Sequence, residues 1–96
     1  MTKVKFMQWN CTVEKAKYQG NDRTALRLID EEDGCDVLMA TVNIPHATLD
    51  QDEVLIKNWS ENEGVLSALV ASGVVKDTGK TVRTGFVFAN VCKLLV

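Results

Sequence analysis

The sequence predicts an α+β fold: a small antiparallel β-sheet of about five strands with one α-helix, over about residues 61–72, packed on one face. Three observations predict it. One segment has helical periodicity and helical end signals, most other segments alternate between apolar and polar residues, and Asp-Gly and Asn-Asp turns separate them. The length of 96 residues and the 46% hydrophobic content predict a single domain over 1–96 with one core.

The predicted helix begins after Trp59. Ser60 and Glu63 have the spacing of a capping box, in which each side chain bonds the backbone N–H of the other residue. Four large aliphatic residues then fall on one side of the helix: Val65, Leu66, Leu69 and Val70. Gly73 is a typical left-handed stop. We therefore expect this helix to seal one face of the sheet.

The strands before the helix are predicted from alternation. The segment from Lys3 to Tyr18 alternates but changes phase near Met7–Gln8, which predicts a bulge or a bent strand. Thr24 to Asp30 is the second strand. The turn Glu31–Gly34 follows, because its Asp-Gly pair supplies the positive φ of a tight hairpin. Cys35 to Ile44 is the third strand.

Two more strands flank the helix. Pro45 ends the third strand, because proline lacks the N–H that a sheet ladder needs. Val54–Ile56 is a short strand that leads into the helix. A turn is predicted over residues 76–80, followed by a long strand from Val82 to Leu95 that is apolar on both faces.

Charge and composition limit the class of protein. The composition is typical of a soluble globular protein, and no apolar run reaches the roughly 20 residues of a membrane span. No apolar run of signal-peptide length follows Lys3 and Lys5, so we expect a cytoplasmic protein with no membrane partner. The formal net charge is −2, but residues 30–63 hold ten acidic residues and one basic one. The folded molecule should therefore have distinct acidic and basic faces.

Several motifs of active or cofactor sites are only partly matched. Gly79-Lys80-Thr81 resembles the end of a phosphate-binding loop, but the first glycine of that motif would stand at Val74. A calcium loop with Gly34 at its sixth position would need a glutamate at Ala40. The only histidine, His46, has no metal-ligand spacing to a cysteine. We therefore predict no cofactor, no metal and no enzymatic activity.

The three cysteines and the basic residues also indicate no disulfide framework, redox site or nucleic-acid-binding surface. Cys11, Cys35 and Cys92 are odd in number and widely spaced, as in reduced, mostly packed thiols. The basic residues are scattered, the isoelectric point is about 5.3, and six aromatic residues are barely enough for a core. Nucleic-acid binding is therefore disfavoured.

The acidic segment after the second strand has two open interpretations. Glu31, Glu32, Asp33 and Asp36 form either a solvated hairpin tip or a partner-binding acidic patch. Such a patch could locally imitate the phosphates of a nucleic acid.

The residues at the start of the helix are the second candidate for partner binding. Trp59 either packs under the helix start, which we favour, or stands exposed as an interface anchor. Glu61, Asn62 and Glu63 are expected to be exposed at the helix N-terminus.

Four sequence pieces resemble a known family. They are ALRLID with EDG at 25–34, ATVNIP at 40–45, DEVLIKN with SENEG at 52–64, and TGFV with VCKL at 84–94. Together they are similar to a family of small uncharacterised proteins encoded by bacteriophages, plasmids and integrative elements. The likeness covers about residues 24–95, and the SENEG piece is its most distinctive part.

The resemblance implies a context and no catalytic residue. Small acidic proteins of mobile elements are often accessory factors that block a host protein, so the leading hypothesis is a non-catalytic contact protein in the bacterial cytoplasm. Its partner would be a host or element protein, for example a host-defence protein such as a CRISPR nuclease. The alternatives are a structural or self-assembling accessory protein, which would be a homo-oligomer, and a nucleic-acid-binding module.

Overall fold

The computed structural model describes residues 2–96 and confirms the α+β class. In this range seven strands form two antiparallel sheets: β1 Lys3–Phe6, β2 Trp9–Lys17, β3 Thr24–Asp30, β4 Asp36–Met39, β5 Glu53–Ile56, β6 Val75–Thr84 and β7 Val87–Leu94. One α-helix, α1 Val65–Ala71, follows a 3-10 turn at Ser60–Asn62. The predicted helical segment is thus helical in two parts.

The two sheets have simple strand orders and are connected along one edge. The first sheet is ordered β1-β2-β3-β4, and the second is ordered β5-β7-β6. After β4 the chain runs beside β5, where the N–H of Val42 donates to the carbonyl of Leu55 at 3.0 Å. The N–H of Lys57 donates to the carbonyl of Ala40 at 2.8 Å. These bonds satisfy the backbone where the chain passes from one sheet to the other.

The phase change in the first segment marks a hairpin and not a bulge. Phe6 pairs with Trp9, so Met7 and Gln8 form a two-residue turn between β1 and β2. Met7 has a positive φ of 53°, as one position of such turns requires. The alternation restarts after the turn, and this explains the change of phase in the sequence.

The end of the chain is a second hairpin, so the predicted turn and long strand there were wrong. Thr84 pairs with Val87, and Gly85 and Phe86 form the turn between β6 and β7. Residues 76–80 lie within β6, where the register shifts between Asp77 and Thr81. The segment Asp77-Thr78-Gly79 therefore produces a bulge in the edge strand β6. The chain reverses direction at Gly85, which has a φ of 61°.

The other strand predictions agree more closely with the structure. Thr24–Asp30 is β3 exactly as predicted, and Val54–Ile56 lies in β5. The predicted strand from Cys35 to Ile44 is shorter, because regular pairing in β4 ends at Met39.

The capping of α1 differs from the predicted capping box. Ser60 has a φ of 56° and begins the 3-10 turn, and no side-chain cap bond forms there. The Asn58 side-chain oxygen instead accepts bonds from the N–H groups of Gly64, at 3.1 Å, and Leu66, at 3.0 Å. Gly73, with φ of 74°, ends the helix as predicted. The side chain of Asn58, which lies outside the helix, therefore satisfies two of the N–H groups at the helix start.

A main cluster of buried apolar residues lies between the first sheet, the inner face of the second sheet and α1. Val65 and Leu69 of α1 are fully buried in it, and Leu66 is partly buried against it. Val70, expected on the buried side, is 44% exposed. Fewer residues of the helix therefore face the core than its sequence pattern predicted.

A smaller outer cluster covers the other face of the second sheet. It consists of Ile44, Ala47, Leu55, Ala89 and Val91. Trp59 packs partly buried against this cluster, and not under the helix start. The apolar residues on both faces of β7 are thus explained, because each face has its own cluster.

Candidate functional site

The β3–β4 connection is an exposed acidic tip with a fixed backbone. The N–H of Gly34 donates to the carbonyl of Asp30 at 2.8 Å and closes the turn. The Asp30 carboxylate accepts from the N–H of Glu32 at 2.9 Å, and that of Asp33 accepts from the N–H of Cys35 at 2.9 Å. These bonds hold the tip in one conformation although all of Glu31–Asp36 is exposed.

The four predicted partner-binding acids of the tip are all exposed but differ in their ion pairs. Glu31 lies 3.1 Å from the ammonium of Lys3, and Asp36 lies 3.4 Å from the guanidinium of Arg27. Within residues 2–96, Glu32 and Asp33 have no basic partner. Their charge is therefore the most available to another molecule.

The helix-start segment is built around a buried amide, and this corrects the prediction that Asn62 is exposed. Asn62 is 1% exposed, and its side-chain nitrogen donates to the carbonyl of Met39 at 2.7 Å. β4 is an edge strand of the first sheet, and Asn62 supplies the donor that a further strand would otherwise provide to this carbonyl. Asn62 thus cannot be a direct contact residue.

Glu61 and Glu63 are exposed on either side of Asn62, as predicted. The carboxylate of Glu61 lies 3.1 Å from the ammonium of Lys57. A hydrogen bond from its own backbone N–H and then the nearby Lys57 charge lower the pKa of Glu61 below the ordinary value. Glu61 is therefore ionised at neutral pH.

Strand β4 connects the acidic tip with the helix-start segment. It begins at Asp36 and ends at Met39, so the two segments are separated by roughly 10 Å along the strand. Half-buried Val37 and Leu38 and the 39%-exposed Met39 provide apolar surface between them. We call the whole surface the acidic strip; its exposed carboxylates are Glu31, Glu32, Asp33, Asp36, Glu61 and Glu63.

A cleft of about 380 Å³ opens beside Met39 and is bordered by Glu61. Tyr18 and Thr41 form part of its wall, where their hydroxyl oxygens lie 2.9 Å apart. Val37 adds apolar surface. Lys57, whose ammonium lies 3.1 Å from the Glu61 carboxylate, also lines the cleft, so the cleft is partly apolar and has an ion pair at its border.

The tip of the β6–β7 hairpin is an aromatic surface that the sequence analysis missed. Phe86 is 100% exposed and Phe88 is 57% exposed. The tip, residues 83–88, extends roughly 10 Å beyond the Val82–Ala89 pair, which packs on the outer cluster. We call residues 83–88 the aromatic arm. Gly85 was the available signal, because a glycine between two segments rich in β-branched or aromatic residues is typical of a hairpin turn.

The thiols are poor candidates for chemistry. Cys11 and Cys92 are buried, and burial raises both pKa values, that of Cys92 to about 12. Cys35 is exposed, but a hydrogen bond with the Asp33 carboxylate raises its pKa. Since the thiolate is the reactive form, these positions hold little of it at neutral pH. His46 is exposed, and residues 2–96 contain no group of three His, Cys, Asp or Glu side chains placed for a metal ion.

No protein-family model, curated protein or solved structure matches the chain. Within residues 2–96, α1 is too short to cross a lipid bilayer, and no other helix could do so.

Proposed function

We propose that the protein is a non-catalytic contact protein and that the acidic strip binds a basic surface of another protein. In line with the sequence resemblance, we propose a role in a bacteriophage or other mobile element within the bacterial cytoplasm. The partner would be a host-defence protein such as a CRISPR nuclease. Grooves that hold nucleic acid are lined with basic residues, so they are suitable targets for a strip of carboxylates.

One observation supports this proposal above all: the hydrogen bond from the buried Asn62 amide to the carbonyl of Met39. It fixes the helix-start segment against β4. The two sequence segments that carry the six exposed carboxylates are therefore held next to each other. Neither segment alone would present more than four of them.

The charge balance of the strip favours a basic protein as partner. Of the six carboxylates, three lie near a base of the same chain, namely Lys3, Arg27 or Lys57. Exposed pairs of this kind contribute little energy and can be exchanged for pairs with a partner. The apolar surface at Val37–Met39 would be covered in the same contact, which adds a hydrophobic contribution that salt does not screen.

The experiment measures binding and inhibition with a panel of purified RNA-guided nucleases. We expect the wild-type protein to bind one of them and to inhibit its DNA cleavage. The variant Glu32→Lys/Asp33→Lys should weaken binding by about tenfold or more, because it places two positive charges against a basic groove. The matched control, Asp50→Lys/Asp52→Lys, makes the same charge change at two exposed residues outside the strip.

The control variant should bind like the wild type if the strip is the contact surface. Equal loss of binding in both variants would show only a general charge effect and would contradict the proposal. Binding that survives in the strip variant would also contradict it, as would the absence of binding across the panel.

A second candidate function is self-assembly within the mobile element. The observation that favours it is the complete exposure of Phe86 at the end of a protruding hairpin.

A further inference from the structure

We propose that the aromatic arm of one molecule docks in the cleft beside Met39 of a second copy, so that copies associate head to tail. The cleft borders the acidic strip, so this inference rests on the strip being a contact surface, as proposed above. The two proposals name different occupants of that surface and can fail separately.

The arm has the composition of an interface anchor. Phe86 is fully exposed, and Phe88 and Arg83 are cross-strand partners on one face of the hairpin. Large aromatic residues and arginine are the residue types that most often dominate binding energy at interfaces. Two phenylalanine rings at a protruding tip can enter a concave site without any change of the backbone.

The arm is also positively charged. From Thr78 to Val96 the sequence contains no Asp or Glu. The Nε of Arg83 donates to the carbonyl of Gly85 at 3.1 Å, and no carboxylate within residues 2–96 pairs with its guanidinium. The arm therefore matches an apolar site that lies next to the acidic strip.

The cleft beside Met39 is such a site on the same chain. Its volume of about 380 Å³ is in the range of pockets that enclose small ligands or side chains. Val37 and Leu38 supply apolar walls, and Glu61 and Lys57, which pair with each other at 3.1 Å, lie at its border. Asp36, the neighbour of Val37 in β4, is exposed. A phenylalanine ring could occupy the cleft while Arg83 replaces Lys57 or Arg27 as the partner of one of these carboxylates, since such exposed pairs can be exchanged.

Two other ways of pairing copies are disfavoured by the same features. Contact between two arms would place the Arg83 side chain of one copy near that of the other, and like charges repel. Pairing of two β6 edges would require a regular strand, but β6 shifts register between Asp77 and Thr81. Contact between arm and cleft avoids both problems.

A contact between two different surfaces has a predictable consequence for assembly. Each copy keeps one free arm or one free cleft after binding, so association continues into open chains or larger rings and does not stop at a dimer. The same contact would cover part of the acidic strip. A basic partner protein and a second copy would therefore compete.

The test is analytical ultracentrifugation of three proteins over a wide concentration range. The wild type should increase in average mass beyond that of a dimer. The arm variant Phe86→Ser/Phe88→Ser and the cleft variant Met39→Lys should each remain monomeric, with association weakened by about tenfold or more. A mixture of the two variants should form dimers and nothing larger, because it contains one intact arm and one intact cleft for each pair.

Two controls keep this result interpretable. Leu95→Ser removes a different exposed apolar side chain, which is 53% exposed, and should associate like the wild type. Glu61→Lys is a second cleft variant at an exposed residue, and it should also remain monomeric if Met39→Lys fails to fold. Circular dichroism of each variant establishes that it is folded.

Several results would overturn the inference. They are a wild-type protein that is monomeric at every concentration, a wild-type mass that stops at the dimer, association that survives in the arm variant, and a variant mixture that stays monomeric. If the wild-type protein does not self-associate but nuclease binding still depends on Glu32 and Asp33, only this inference is contradicted. If self-association behaves as expected but no nuclease binds, only the proposed function falls.

Discussion

The main cluster and the outer cluster bury apolar residues on opposite faces of the same three-stranded sheet, but different structures cover them. Strands of the first sheet and α1 cover the inner face, and the main cluster there contains 14 buried residues. A loop and Trp59 cover the outer face, where five buried residues form the cluster. Because a loop has fewer backbone bonds to break, the outer cluster should open at a lower free energy than the main cluster.

One arginine contributes two hydrogen bonds to the loop of the outer cluster. The guanidinium of Arg23 donates to the carbonyl of Ile44 at 2.8 Å and to the carbonyl of Ala47. The N–H of Ala47 donates to the carbonyl of Ile44 at 3.0 Å. Regular secondary structure satisfies the backbone in the main cluster, whereas one side chain from the β2–β3 connection satisfies much of it here.

The largest expected effect is in the main cluster. Leu69 is 0% exposed, so Leu69→Ala should lower the free energy of unfolding by about 2–5 kcal/mol through lost burial and an unfilled cavity. Urea denaturation measures it. The control Val70→Ala, in the same helix but 44% exposed, should change stability by less than about 1 kcal/mol. An unchanged midpoint for Leu69→Ala would place α1 outside the core.

An intermediate effect is expected at the junction of α1 with β4. Asn62→Ala removes the donor for the carbonyl of Met39 and should lower the free energy of unfolding by about 1–3 kcal/mol. The control Asn43→Ala removes a half-buried amide whose hydrogen bond with Asn21 is exposed to solvent, so its effect should be much smaller. Equal shifts of the two denaturation curves would mean that the burial of Asn62 adds nothing to the stability of the fold.

The smallest effect is expected in the outer cluster. Ile44→Val removes one buried methylene and should lower the free energy of unfolding by about 0.5–1.5 kcal/mol. Hydrogen exchange gives the sharper comparison. In Leu69→Ala, the N–H of Leu28 in β3 should exchange faster, while exchange at Ala47, which needs only the outer cluster to open, should stay close to that of the wild type. Equal acceleration at both sites would show that the two clusters unfold as one unit.

The parts of the fold predicted correctly are those where local pattern and burial agree. Thr24–Asp30 alternates because one face of β3 points into the main cluster, and it was predicted with its exact bounds. Gly73 ends α1 because its positive φ costs a glycine little. The exposed acids at 31–36 were predicted because charged residues next to a turn remain in water.

The features that were not predicted from the sequence depend on contacts between residues that are far apart in the chain. Asn62 is buried by Met39, 23 positions away, and no local pattern indicates that pairing. The outer cluster requires the loop after β4 to fold back over β7. Trp59 packs against this cluster, and the residues next to Trp59 in sequence do not indicate that contact. Phe86 was assigned to a strand because Gly85 was not recognised as the turn between β6 and β7.

The irregularity in β6 also affects how the protein behaves when it is crowded. β6 is the outermost strand of its sheet, and an open strand of ten residues could otherwise act as a template for fibril growth. The shift between Asp77 and Thr81 and the exposed Lys76 and Lys80 interrupt that template. Concentrated solutions of the folded protein should therefore stay free of amyloid.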